Sequence, residues 1–212
     1  MNCHYISFFA KVLIQLYLQI KSMNTVTLNL KAIAKIADDQ FYDLCLANPD
    51  VKFERNSKGE VIIVAPTGGE TGIYNAGLIA QFWIWNNRFK LGKVFDSSTC
   101  FKLPNNANRS PDVSWISLER WNALTDSQKE KFPPITPDFV LELMSPTDTR
   151  KETQTKMQEY IENGAKLGWL LDRRANIVEI YRQNQAVEVL NNPDVLSGED
   201  VLPEFSLDLR SL

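Results

Sequence analysis

Histidine is almost absent from this sequence: His4 is the only one. Ser-His-Asp triads, Cys-His pairs and histidine-based metal sites all need a well-placed imidazole. The three cysteines, Cys3, Cys45 and Cys100, are scattered without C-x-x-C spacing. This excludes a disulfide framework and a cysteine zinc site, and it favours a reducing cytoplasm. Any chemistry must therefore depend on carboxylates, lysines or a bound metal.

Long apolar runs are missing as well. The stretch at residues 1–22 is interrupted by Lys11, Gln15 and Gln19, so it matches poorly the roughly 20 apolar residues of a membrane-spanning helix. It also lacks the basic region and the small-residue cleavage site of a secretory signal. We therefore expect no membrane partner and a cytoplasmic location.

The N-terminal stretch has two interpretations. Either translation starts at Met23 and residues 1–22 are an extension, or these residues form a real amphipathic helix. Because their composition differs sharply from that of the remaining chain, we expect them to be dispensable for folding and activity. No repeat or low-complexity linker divides residues 23–212, which we interpret as one domain.

The overall charge gives no support for a strongly basic protein. Hydrophobic residues make up 44% of the chain and charged residues 23%, and the formal net charge is -3. These proportions are ordinary for a soluble globular protein. A globally basic nucleic-acid binder is excluded, whereas a basic strip confined to one face is not.

Hydrophobic periodicity predicts mixed α and β structure with helices flanking a sheet. Helices are expected at 38–47, from Glu70 to Lys90 and at 150–163. Strands are expected in a hairpin around the SKG turn and at 93–96, 99–103, 112–117, 138–143, 167–172, 176–182 and 186–190. On the long helix we expect one apolar face to contact the sheet: Ile73, Ala76, Gly77, Ala80, Trp83 and Ile84.

Glu142 lies inside the apolar run PDFVLELM, which is typical of a strand covered on both faces. An unpaired carboxylate there would cost several kcal/mol. Glu142 therefore needs a cation, a basic partner or a site open to solvent. The alternative is a strand end with the side chain pointing to water.

Asp112 repeats this pattern at the start of an apolar strand in SPDVSWIS. Taken alone, it is explained by turn geometry after Pro111. Taken with Glu142 it indicates more, because neighbouring strands would bring both carboxylates to one edge of the sheet. Mg²⁺ prefers oxygen ligands of this kind and keeps several waters. The pair therefore predicts a divalent-metal site.

A family resemblance covers nearly all of the chain after Met23. It is carried by GGETGIYNAGLIAQFWIWNN, GKVFDSSTCFKLPNNANRSPDVSWISLERW, PDFVLELMSPTDTR, KMQEYIENGAKLGWLLD, VEIYR and LSGEDVLPEFSLDL. These segments resemble the Uma-two branch of the PD-(D/E)XK nuclease superfamily. The resemblance implies an α/β (α+β), restriction-endonuclease-like mixed sheet flanked by helices, in which an Asp and a Glu bind Mg²⁺ or Mn²⁺.

Two positions of the superfamily motif, its lysine and its early helical acid, have less direct counterparts in this chain. The superfamily lysine normally lies two residues after the glutamate, where this chain has Met144, so the resemblance points to Lys156 on the next helix as the catalytic lysine. The early helical acid of the superfamily falls on Glu70, which is expected as a further metal ligand. Its alternative role is an acid favoured by the dipole of the helix N-terminus.

Arg150 and Lys151 come directly after the acidic strand and are expected to contact the DNA backbone. The alternative is a solvated helix face, on which Glu152 and Lys156 form an i,i+4 pair.

The resemblance implies a metal-dependent endonuclease that hydrolyses DNA phosphodiester bonds. A homodimer is expected, because cutting both strands of a duplex favours two-fold symmetry. The alternative is an inactive nuclease-fold module that binds DNA or a protein partner. The acidic net charge and the moved lysine keep that alternative open, since a fold alone does not determine function.

Overall fold

The computed structural model describes residues 25–29 and 36–212 of the chain. The predicted extension at residues 1–22 lies outside the described residues. The described helices are α1 (Asp38–Ala47), α2 (Gly69–Phe89), α3 (Leu118–Asn122), α4 (Asp126–Glu130) and α5 (Arg150–Glu162), with a final 3-10 turn at Leu209–Ser211. Within these ranges, no helix combines the length and the apolar character that crossing a membrane requires.

The strands confirm the predicted mixed α and β fold. In chain order they are β1 (Thr25–Leu28), β2 (Lys52–Arg55), β3 (Val61–Val64), β4 (Gly92–Asp96), β5 (Phe101–Lys102), β6 (Asn108–Arg109), β7 (Val113–Ser117), β8 (Phe139–Leu143), β9 (Leu167–Asp172), β10 (Ile177–Arg182), β11 (Glu188–Asn191), β12 (Val195–Ser197) and β13 (Ser206–Asp208). A six-stranded sheet has the order β11-β10-β9-β8-β7-β4, and a five-stranded sheet has the order β1-β3-β2-β6-β5. Strands β12 and β13 form a separate pair.

The six-stranded sheet is mixed because α5 connects β8 to β9. These two strands run parallel, whereas the other neighbours in the sheet are antiparallel. A parallel pair needs a crossover connection, and α5 provides it across one face of the sheet. This crossover places α5 over the strands that carry the predicted carboxylates.

Alternation along β8 divides the core between the two faces of this sheet. Phe139, Leu141 and Leu143 pack with the core of α2 and the C-terminal segment. Val140 packs on the other side, with residues of α5. Because successive side chains of a strand point to opposite faces, Glu142 lies on the same face as Val140 and therefore beneath α5.

The predicted orientation of α2 is wrong. Its buried residues are Thr71, Leu78, Phe82 and Trp85, whereas the predicted sheet-facing residues Ile73, Ala76, Ala80, Trp83 and Ile84 are exposed. The ring of Phe82 lies 5.1 Å from that of Phe139 and 4.2 Å from that of Phe205. The buried face combines Leu78 with the aromatic side chains of Phe82 and Trp85, whereas the five exposed residues include one aromatic side chain, that of Trp83. The buried face therefore contributes more aromatic area to the core.

Candidate active site

Asp112 and Glu142 lie side by side where β7 begins and β8 ends. The antiparallel register pairs Val113 with Leu141, which places Asp112 opposite Glu142. Asp112 Oδ2 accepts a hydrogen bond of 2.8 Å from the backbone N–H of Leu143. The strand pairing therefore brings the two predicted acids together at one edge of the sheet.

Lys156 and Tyr160 reach Glu142 from one side of α5. Lys156 Nζ lies 2.8 Å from Glu142 Oε1, and the Tyr160 hydroxyl donates to the same oxygen at 3.0 Å. Gly168 of β9 allows α5 to approach this closely, because a Cβ at that position would lie 2.6 Å from Met157 Cε. The structure thus brings the predicted lysine to the predicted glutamate.

Glu54 on β2 completes the cluster from the five-stranded sheet. Its Oε1 accepts from Lys156 Nζ at 3.0 Å and from the backbone N–H of Ser110 at 3.1 Å, and its Oε2 lies 3.0 Å from an Arg109 nitrogen. Arg109 also pairs with Glu159 at 2.6 Å. We refer to Glu54, Asp112, Glu142 and Lys156 as the carboxylate–lysine cluster.

Burial acts to raise the pKa of all three acids in the cluster, and the neighbouring charges separate them. Burial raises the pKa of Glu54, but the charges of Lys156 and Arg109 outweigh it and bring that pKa to about 2. For Glu142, burial and the charges of Asp112 and Glu54 outweigh Lys156 and raise the pKa to about 7. Burial also raises the pKa of Asp112. The Asp112–Glu142 pair therefore has a deficit of positive charge, which Glu54 does not share.

The cluster opens into a cleft of about 690 Å³ between the two larger sheets. One face of the five-stranded sheet forms one wall, and the start of α5 forms the other. Charged residues of the lining are predominantly acidic: Asp50, Lys52, Glu54, Arg109, Asp112, Glu142, Asp148, Glu152 and Lys156. A polyanion entering this cleft would be repelled unless cations neutralised the acids.

The structure does not bring the other predicted site residues into the cleft. Glu70 is exposed on the first turn of α2, and it is not part of the cleft lining. Arg150 forms two hydrogen bonds with Glu179 Oε1, at 2.9 and 2.7 Å, which hold the start of α5 on β10. Lys151 is exposed and directly precedes the lining residue Glu152 in the sequence.

Sequence reasoning missed Glu54 and Lys52, two residues of the same β2 face. They pair in register with Ile62 and Val64 of β3, and all four line the cleft. In KFER every residue except Phe53 is charged, which is equally typical of a solvent-exposed strand. The one available signal is the pairing of β2 with the apolar strand β3, which indicates that Lys52 and Glu54 lie on a partly covered face of the sheet.

The donor set fits a hard divalent cation. Across the described ranges, no group of three or more His, Cys, Asp or Glu side chains is arranged as a metal cage. Asp112 and Glu142 are nevertheless two adjacent carboxylates, and Oδ1 and Oε2 have no hydrogen-bond or ion-pair partner among the described residues. Two carboxylates plus water and substrate oxygens are the usual ligands of Mg²⁺.

Comparisons with known proteins support the fold and identify the family. The chain is similar to the crystal structure of a "putative nuclease belonging to DUF820 from Anabaena variabilis ATCC 29413", with a TM-score of 0.64 and 20% identity over 75% of this chain and 88% of that chain. At this identity the similarity shows the fold alone. A comparison with curated proteins gave no match. The model of the family Uma2, described as "Putative restriction endonuclease", matches residues 38–210, and the chain therefore belongs to this family.

Proposed function

We propose that this protein is an endonuclease that hydrolyses DNA phosphodiester bonds with Mg²⁺ or Mn²⁺. The observation that carries the proposal is the adjacency of Asp112 and Glu142 in the cleft, with Lys156 Nζ 2.8 Å from Glu142. Membership of a restriction-endonuclease family supports the same reaction class. A bound cation would relieve the repulsion between Asp112 and Glu142 that helps to raise the Glu142 pKa.

Asp112 and Glu142 would hold the ion through the carboxylate oxygens that have no partner in the described protein. The bound ion would polarise the phosphodiester and activate a water molecule. The hydrogen bond from Leu143 fixes the Asp112 carboxylate, and Tyr160 together with Lys156 fixes that of Glu142. This orientation exists before substrate binds, so little reorganisation is required during the reaction.

Lys156 would supply a fixed positive charge to the phosphate as negative charge develops in the transition state. Burial lowers the pKa of Lys156, but Glu142 and Glu54 outweigh burial and raise it, so the ammonium stays charged at neutral pH. Glu54 is a positioning residue in this scheme, because it holds Lys156 from the opposite side of the cleft.

Lys52 and Lys151 are the proposed DNA contacts. Lys52 lines the cleft and forms no ion pair within the described ranges, whereas Arg109 and Lys156 are already paired. Lys151 is exposed at the first turn of α5. Arg150 instead anchors α5 through Glu179.

Nicking of supercoiled plasmid tests the proposal. Wild-type protein should nick with Mg²⁺ or Mn²⁺ and lose activity in EDTA. Asp112→Asn and Glu142→Gln should each lower the rate at least about 100-fold, because each removes one charged ligand. The exposed Asp126→Asn serves as the matched control and should cut normally.

Thermal melting separates chemistry from folding. Both site variants should keep a melting temperature within about 5 °C of wild type, since each keeps the shape of the side chain. Nicking at the wild-type rate by either variant would remove that residue from the site. If purified wild-type protein binds DNA and nicks it with neither ion, the inactive binding module is the correct interpretation.

A further inference from the structure

Helix α2 presents an apolar stripe on its outer face. Ile73, Trp83 and Ile84 are 70%, 58% and 63% exposed, and Ala76 and Ala80 between them are also exposed. We refer to these five residues as the α2 stripe. Scattered apolar residues are common on protein surfaces, but a contiguous stripe of this kind marks a contact site. We propose that the α2 stripe binds a second copy of this chain, with the two helices antiparallel around a two-fold axis near Ile79.

The order of side chains along the stripe is self-complementary in that arrangement. A two-fold axis near Ile79 places positions at equal distances on either side of it opposite each other. Ile73 and Ile84 lie six and five positions from Ile79, so Ile73 of one copy lies within one position of Ile84 of the other. Ala76 and Trp83 lie three and four positions from Ile79, so the large Trp83 side chain of one copy lies close to the small Ala76 of the other, as close helix packing requires.

Charge at the two ends of the helix selects the antiparallel direction. Glu70 lies in the first turn of α2 and Arg88 in the last turn, about five helical turns apart and therefore on the same side of the stripe. Neither forms an ion pair within the described residues, although the Arg88 guanidinium lies 5.2 Å from the Phe89 ring centroid. The antiparallel arrangement places Glu70 of each copy opposite Arg88 of the other, whereas a parallel one would place the two Glu70 side chains at the same level without a facing Arg88.

This interface does not depend on the proposed nuclease activity, and its test needs no catalysis. A helix pair of this length buries less surface than a standard protein interface, so micromolar dissociation is expected. Sedimentation velocity of the full-length chain between 1 and about 200 µM should show a monomer converting to a dimer as the concentration rises.

Charge reversal provides the specific test. Glu70→Arg and Arg88→Glu should each weaken dimerisation about tenfold, because each creates two repulsive contacts per dimer. The double variant carrying both changes restores opposite charges across the two-fold axis, and its dissociation constant should return to within about threefold of wild type.

Ala80→Glu should abolish the dimer by burying two like charges at its centre, whereas Ala47→Glu on the exposed end of α1 should not. Circular dichroism should show that all variants remain folded. A monomeric wild-type chain at the highest concentration would overturn the proposal. So would a dimer that Ala80→Glu leaves intact, or a double variant that dimerises no better than the single variants.

Discussion

Lys156 is the residue on which the carboxylate–lysine cluster depends. Its Nζ lies between two buried carboxylates, 2.8 Å from Glu142 and 3.0 Å from Glu54. Removing the lysine would leave two acids close together in a poorly solvated place, and breaking a buried pair costs about 3–5 kcal/mol. Lys156 therefore affects folding stability as well as chemistry, and a test of its role must separate the two.

We expect Lys156→Met to lower the single-turnover cleavage rate at least about 100-fold at saturating DNA, because the thioether carries no charge. Its melting temperature should fall by several degrees, so the rate is measured well below the transition. DNA affinity should stay within about threefold, because the Lys156 charge is already paired with Glu54 and Glu142 and acts mainly on the charge that develops in the transition state.

Lys151→Met is the matched control from the same helix, because Lys151 is exposed and outside the cleft lining. It should melt and cleave at saturating DNA like wild type. A large loss of rate in Lys151→Met with none in Lys156→Met would show that the wrong lysine has been chosen.

Single residues differ in how well the sequence reveals them. Asp112 and Glu142 stand out because each interrupts an apolar strand, and burying an acid needs a reason. Glu54 does not stand out, because its strand is mostly charged and its partner Lys156 lies 102 positions away. Burial that arises from a distant contact leaves little trace in the local sequence.

The same limit applies to whole helices. Periodicity predicted the position of α2 correctly to within one residue at each end, but it assigned the wrong face to the sheet. The face is determined by Phe82 and Trp85, whose rings meet Phe139, Phe205 and Trp115 across the core. Whether a segment forms a helix or a strand depends on its local sequence pattern. Which face of the helix is buried depends on the surface that it packs against, and the sequence of the helix does not show that surface.

Strand β8 is tied to its neighbours by an ionic contact at its start. Asp138 is 1% exposed and accepts a hydrogen bond of 2.9 Å from the Ser117 backbone N–H. Its Oδ1 lies 3.0 Å from an Arg120 nitrogen and 2.8 Å from Lys166 Nζ. The carboxylate therefore joins the end of β7, helix α3 and the segment that enters β9.

Asp138 should make stability depend on pH in the acidic range. Burial raises the pKa of Asp138, but Lys166, Ser117 and Arg120 outweigh burial and lower it below its usual value. A carboxyl whose folded pKa is lowered stabilises the protein above its unfolded pKa, and this stability is lost as pH falls through the folded pKa. Asp138→Asn should therefore lower the free energy of unfolding by about 1–3 kcal/mol at pH 7.

Thermal melts of wild type and Asp138→Asn between pH 7 and pH 3 measure this effect. The gap in melting temperature should be several degrees at pH 7 and should shrink below about pH 4. The exposed Asp126→Asn should show no such gap. A gap for Asp138→Asn that stays constant down to pH 3 would show that shape, and not charge, is responsible.

At the scale of the whole molecule, the charge distribution matters more than the net charge. The chain carries a net charge of -3, and the cleft lining contains more acids than bases. The proposed DNA binding would therefore depend on a few well-placed cations together with the proposed ion at the acidic pair. Lys52 is such a cation, because it lies on the cleft wall two positions before Glu54, on the same face of β2.

Lys52→Ala should weaken DNA binding through the phosphate backbone and leave catalysis largely intact. Each phosphate contact releases counterions, so losing one should reduce the slope of log affinity against log salt by about 1. Binding is measured with Mg²⁺ in the Glu142→Gln background, which prevents cleavage during titration. Lys58→Ala, in the exposed hairpin turn, is the matched control and should keep the wild-type slope.

In the otherwise wild-type chain, Lys52→Ala should cleave at nearly the normal single-turnover rate once DNA is saturating. An unchanged slope for Lys52→Ala, or an equal change for Lys58→Ala, would show that DNA does not run along the wall formed by β2 and β3.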